Sequence, residues 1–160
     1  MELEIILFSI AVSSTAQYQT ALDLNGIYRS GDFGVSWELV SDPVVSGEKL
    51  WRSISISSTG QYQSAVEEDN LIYTSSDYGV TWKGRAFKST WSSISVSSTG
   101  QYQYASEYNR ESAGYIYTSS DYGVTWIERT GPGTGGWASI ASSADGTRLV
   151  AAMNSSTNNY

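Results

Sequence analysis

Ser75–Trp82 reads SSDYGVTW, and the same phrase occurs as SGDFGVSW at Ser30–Trp37 and as SSDYGVTW at Ser119–Trp126. The three aspartates, Asp32, Asp77 and Asp121, are 45 and then 44 residues apart. A period in this range belongs to stacked modules, either propeller blades or solenoid units. A second phrase keeps step with the first. It reads LFSIAVSSTAQYQ at Leu7–Gln19, WRSISISSTGQYQ at Trp51–Gln63 and WSSISVSSTGQYQ at Trp91–Gln103. A fourth copy, WASIASSADGTRLVAA, starts at Trp137 and has no second phrase after it. All six tryptophans fall on this pattern: Trp37, Trp82 and Trp126 close the first phrase, while Trp51, Trp91 and Trp137 open the second.

Each module reads as four short strands. In the first, Ser or Ala alternates with Ile10 and Val12, Ile54 and Ile56, or Ile94 and Val96. A period of two is the strand signature, and small residues on the other face let a neighbouring sheet approach closely. A turn follows at Ser-Ser-Thr-Gly, where Gly60 and Gly100 supply positive φ; Asp145-Gly146 holds the same place in the fourth module. Ala16 replaces glycine in the first module, so its turn is either strained or of another type. The second strand begins at Tyr18, Tyr62 or Tyr102, the third covers 26–29, 71–74 or 114–118, and the fourth runs outward from the phrase's tryptophan. Four antiparallel strands in 40–45 residues make a propeller blade. The expectation is therefore an all-β chain of about three and a half blades, at 7–40, 51–86, 91–130 and 137–153, with a polar tail over 154–160.

Composition narrows the function. The chain has 160 residues, 9 Lys+Arg against 16 Asp+Glu, and a net charge of −7. That balance argues against nucleic acid or anionic lipid as the main partner. With no Cys and no His, disulfides, thiol chemistry and the usual serine or cysteine triads are excluded. Residues 1–16, MELEIILFSIAVSSTA, superficially suggest a secretory signal. Glu2 and Glu4 stand where such signals carry Lys or Arg, and the segment is better explained as a repeat copy. No run is long enough to span a bilayer, and the sequence assigns no compartment.

The pattern S-x-D-x-G-x-[ST]-W resembles the Asp-box, or BNR repeat, of sialidase-like propellers, of the sortilin luminal domain and of photosystem II assembly-factor propellers. The resemblance covers nearly the whole chain. It implies that each box is the turn between the third and fourth strands. In that turn Asp32, Asp77 and Asp121 accept hydrogen bonds from N–H groups. Gly34, Gly79 and Gly123 supply the backbone conformation, Ser30, Ser75 and Ser119 bond within the turn, and Trp37, Trp82 and Trp126 pack over it. These residues are read as structural fasteners, because calcium needs several oxygen ligands and each box offers one Asp.

Function is then expected on the opposite face, where loops are free of the repeat constraint. The candidates there are Glu67, Glu68 and Asp69, whose simpler reading is a solvated acidic loop tip, and Tyr108, Asn109 and Arg110 in a longer loop. The linkers 41–49, 83–90 and 130–136 also differ from one another. The glycine-rich GPGTGG at 131–136 lacks the Lys-Ser/Thr and helix of a phosphate loop, and Asn154-Ser155-Ser156 fits a glycosylation acceptor. Sialidases hold a carboxylate with three arginines and use a Tyr–Glu nucleophile pair. The inner-strand starts here hold Phe8, Arg52, Ser92 and Ala138, so no such triad can be placed.

The expectation is a non-catalytic propeller scaffold for a protein or glycan partner, with no cofactor, metal, nucleic acid or membrane insertion. One alternative is a segment of a sialidase-like glycoside hydrolase whose catalytic blades lie elsewhere. Another is an assembly factor of the photosystem II type, with Arg52, Lys83, Arg85 and Lys88 as the available basic residues. Propellers close with four to eight blades. Three and a half blades thus point to a fragment of a larger propeller, to self-association through open blade edges, or to a four-bladed ring completed by 1–6.

Overall fold

The computed structural model describes residues 8–108 and 114–153. The N-terminal segment, Asn109, Arg110, the glycosylation-like motif and the polar tail lie outside the described residues. The described residues form fourteen strands and no helix.

The first blade contains β1 (Ser9–Val12), β2 (Gln19–Asp23), β3 (Gly26–Ser30) and β4 (Glu38–Leu39). The second contains β5 (Trp51–Ile56), β6 (Gln63–Glu67), β7 (Asn70–Ser75) and β8 (Lys83–Ser89). The third contains β9 (Trp91–Val96), β10 (Gln103–Glu107), β11 (Ile116–Ser119) and β12 (Ile127–Arg129). A two-stranded half-blade, β13 (Trp137–Ser142) and β14 (Leu149–Met153), follows. Each sheet is an antiparallel meander in sequence order, and β5 lies beside β1, β9 beside β5 and β13 beside β9. This is an all-β propeller architecture, present as about three and a half blades. One element departs from the sequence reading. The fourth strand of the second blade, expected to run outward from Trp82 within a blade ending at 86, continues through the expected linker 83–90, because a bulge opposite Asn70–Ile72 and a left-handed Ala86 (φ 56°) carry the pairing out to Ser89.

The core lies between the blades and is built by register. Ile54, Ala65 and Tyr73 are cross-strand partners in one row, as are Ile94, Ala105 and Tyr117. The first row packs on Leu22 and Ile27 of the preceding blade, and the second on Val66 and Ile72. Each fully buried aliphatic side chain here stabilises by about 1.5–3 kcal/mol. Trp51 and Trp91 lie edge-on to the third-strand tyrosines of their own blades, at 5.3 Å from Tyr73 and 5.1 Å from Tyr117. The first blade shows what this packing supplies. Ile10, with no blade before it among the described residues, is 57% exposed, whereas its counterparts Ile54, Ile94 and Ile140, each with a blade before it, are 5%, 4% and 5% exposed.

The serines that alternate with these isoleucines do more than leave room. An innermost strand has one unpaired edge, and its N–H groups need partners. Ser9, Ser53 and Ser93 accept from the amides of Ile54, Ile94 and Ile140 in the following blade at 3.3–3.4 Å. Ser55 and Ser95 accept from Val96 and Ser142 at 3.0 Å. The first-to-second turns are linked in the opposite direction: the amides of Ser14, Ser58 and Ser98 donate to the carbonyls of Ser58, Ser98 and Ala144 in the following blade.

Candidate functional site

Each repeated corner is a closed hydrogen-bond circuit. Ser30, Ser75 and Ser119 donate to Asp32, Asp77 and Asp121 at 2.8 Å and accept from the amides of Gly34, Gly79 and Gly123 at 2.9–3.0 Å. The residue four places beyond each serine's aspartate partner completes the circuit. Ser36, Thr81 and Thr125 donate to the carboxylates twice, by N–H at 2.9 Å and by hydroxyl at 2.6 Å. These donors favour the ionised form. At Asp32 the Ser36 hydroxyl and amide, with Ser30, lower the pKa to about 2. At Asp77 and Asp121 burial raises it, but the bonds from the following Thr and preceding Ser together outweigh burial and lower it. With their oxygens engaged in this way, the box carboxylates are poorly placed to serve a ligand.

Two consecutive left-handed residues make the bend. Phe33, Tyr78 and Tyr122 have φ of 65°, 61° and 63°, ahead of the glycines at 78–82°. A sequence search for glycine finds only the second of each pair. The tryptophans differ among themselves. The Trp82 and Trp126 indoles donate to the carbonyls of Gly79 and Gly123 at 3.0 Å. Trp82 is 2% exposed because Val40 and Val45, from the linker ahead of its blade, share its cluster, and Asp42 accepts from its amide. Trp37 stays 39% exposed.

On the opposite face the sequence reading of an acidic loop tip does not hold for Glu67. It ends β6, is 8% exposed, and accepts from the Tyr73 hydroxyl at 2.8 Å and from Lys49 Nζ at 3.2 Å. A buried carboxylate needs such partners, and Lys49 arrives from the variable linker 41–49. The Lys49 ammonium also lies 5.1 Å from the Tyr73 ring and 5.9 Å from the Trp51 ring. Glu68 is paired with Arg52. Asp69, exposed and left-handed at φ 55°, accepts from the Thr90 hydroxyl at 3.0 Å, while the Tyr108 amide donates to the Thr90 carbonyl. Thus the structure joins Glu67 to Lys49 and Tyr73, and connects Asp69 and Tyr108 through Thr90.

A repeat position was missed as well. Asp23, Glu67 and Glu107 each stand four residues after the second glutamine of Gln-Tyr-Gln, a spacing that alone could have found them. Asp23 holds its own turn through the amides of Asn25 and Gly26, and Glu107 accepts from Ser89 and the Tyr115 amide. Beside Glu67 opens a recess of about 350 Å³ lined by Leu24, Glu48, Lys49, Leu50 and Glu67, with Leu24 and Leu50 exposed at its sides. Glu67 and Tyr73 form a Tyr–Glu pair, but burial and then the Glu67 hydrogen bond raise the phenol's pKa above its usual value. An attacking phenolate needs the opposite shift. Among the described residues no cluster of three or more acidic side chains is arranged to hold a metal.

The fold is that of a β-propeller, here as an arc of blades. The BNR-Asp box repeat is matched over residues 72–84, the second of the three corners. No curated protein matches. Among solved structures, an ancestral GH74 enzyme superposes with a TM-score of 0.70 and 17% identity over 90% of this chain and 23% of its own. YCF48 bound to a D1 peptide gives 0.66 and 16% over 94% of this chain and 47% of its own. A putative TolB from Agrobacterium tumefaciens gives 0.69 and 18% over 96% and 56%. At these identities the likeness is one of fold. The chain spans between about a quarter and just over half of each of these three proteins.

Proposed function

We propose that this chain is a non-catalytic propeller scaffold, part of a larger propeller, that binds a protein partner on the face opposite its Asp-boxes. The observation that carries the reading is the recess between the first two blades. Its floor is the buried Glu67 paired with the half-buried Lys49, and its sides are the exposed Leu24 and Leu50. Exposed apolar side chains around a fixed polar centre suit a peptide segment, with the leucines taking side chains and the polar groups taking the backbone. The solved complex of a similarly folded protein with a peptide supports a protein ligand over a small molecule. Net charge of −7 favours a partner segment with basic residues.

The test is a peptide array of apolar–basic sequences beside a glycan array, both probed with the purified chain. Peptide binding that weakens at least tenfold in Leu24→Asp and Leu50→Asp supports the proposal. Retention on glycans alone, or peptide binding indifferent to both substitutions, refutes it.

A further inference from the structure

We infer that a lysine side chain of the partner enters the recess and displaces Lys49 from a cage of Trp51, Tyr73 and Glu67, so that Lys49 is a tethered stand-in for the ligand. The inference rests on the peptide-binding reading above and adds the residue that anchors the peptide. Lys49 Nζ lies 5.1 Å from the Tyr73 ring and 5.9 Å from the Trp51 ring. It donates to Glu67 at 3.2 Å and to the Tyr73 hydroxyl at 3.3 Å. An ammonium set between two aromatic rings and a carboxylate is held by cation–π attraction and by charge-assisted hydrogen bonds together. The three cage residues are buried and stand on β5, β6 and β7, whereas their occupant comes from a linker. Two residues before it, Gly47 is left-handed at φ 87°, and no atom lies within 4 Å of where its Cβ would be.

The third blade has the same three residue types in the same places, Trp91, Tyr117 and Glu107, and covers them differently. There the Phe87 ring lies 5.6 Å from Trp91 and 5.2 Å from Tyr117, and the Ser89 hydroxyl donates to Glu107. The Trp91 indole donates to the Asn70 carbonyl at 2.9 Å. In the second blade a cation takes the place of the phenyl ring, and the buried Trp51 indole N–H has no acceptor among the described residues. The loop that would supply one is a residue shorter, Asp23-Leu24-Asn25 against Glu67-Glu68-Asp69-Asn70. One cage is thus sealed by an aromatic side chain, while the other holds a charge beside a recess of about 350 Å³.

These features specify the ligand group. Glu67 and the Tyr73 hydroxyl both accept from Nζ, so a primary ammonium fits and a trimethylated one, with no N–H, does not. The stranded indole N–H calls for a carbonyl as well. A lysine within a peptide brings both.

The test uses the full chain and n-butylammonium chloride, which is the lysine side chain without its backbone. Tetramethylammonium chloride at equal ionic strength and n-butanol are the controls. Thermal melts of Lys49→Ala should shift upward saturably with n-butylammonium and with neither control. The parent should need about tenfold more n-butylammonium for the same shift, because Lys49 competes for the cage. Lys49→Ala combined with Glu67→Gln should not respond. The parent alone gives a second measurement that depends on no variant folding: n-butylammonium, unlike tetramethylammonium, should abolish the nuclear Overhauser contact between the Lys49 side chain and the Tyr73 ring. An equal response to n-butanol, an equal response of parent and Lys49→Ala, or a Lys49–Tyr73 contact that n-butylammonium leaves intact overturns the inference. Each of these removes the cage and leaves the recess to the peptide array. Peptide binding that depends on Leu24 and Leu50 but is unchanged when the peptide's lysines are acetylated likewise refutes the anchor while upholding the recess.

Discussion

The Tyr18 ring lies 4.4 Å from the Tyr78 ring of the next blade, tilted by 33°, and the two close over the Gly60 turn. That contact explains why Gln-Tyr-Gln, Ser-Ser-Thr-Gly and the box recur together. The tyrosine of one module is packed by the glycine and the box of the next, so none of the three can vary alone.

Substitution of Gly60 by alanine therefore carries two penalties, a left-handed residue at φ 80° and a Cβ 2.6 Å from Tyr18. Gly60→Ala should cost about 2–4 kcal/mol. Ala16 already sits at φ 62° with no tyrosine over it among the described residues, so Ala16→Gly should gain about 0.5–1 kcal/mol. Urea denaturation of both variants checks the opposite signs.

The box carboxylates set the acid limit. Asp32 has its folded pKa depressed to about 2, and the unfolded value is about 3.9. Its contribution is thus present above about pH 4 and is lost as pH falls toward 2. Asp77 and Asp121, also lowered, act in the same direction. Stability of Asp32→Asn, measured by thermal melts across that window, should fall less steeply with acid than the parent's. Parallel curves would contradict this.

Buried glutamines tie turn to blade. Gln103 donates to the Gly100 carbonyl at 3.1 Å and accepts from the Ser64 hydroxyl at 2.7 Å, both out of water. Gln103→Leu leaves both partners unsatisfied and should cost about 2–4 kcal/mol. The half-blade has already replaced this glutamine with Leu149 and compensates through Tyr104. Adding Ser64→Tyr to Gln103→Leu should accordingly recover part of the loss in calorimetry.

Removing one member of the Lys49–Glu67 pair strands the other in the recess. Glu67→Leu should destabilise by about 3 kcal/mol, and the double variant with Lys49→Met should be less unstable than Glu67→Leu alone. Additive losses in a double-mutant cycle would show the pair is not coupled.

The architecture was legible because each module repeats its own instructions: the Ile-Ser alternation, the glycine turn and the Asp-Gly corner specify strands and bends locally. What joins modules was less visible. Nothing near Tyr18 in sequence announces that its ring packs on Gly60, and the serines look like spacers until the next blade's amides reach them. The same distance hid the recess, where Glu67 reads as one of a run of acids until Lys49 and Tyr73 surround it. The far end of outer strand β8 escaped notice because its bulge breaks the alternation that marks a strand.

The central claim, that successive modules stack as blades in this register, is tested most directly by nuclear Overhauser effects between ring protons and the turn glycines of the following module. The account predicts cross-peaks from Tyr18 to Gly60, Tyr62 to Gly100 and Tyr102 to Gly146. Tyrosine rings whose only neighbours lie within their own modules would contradict it.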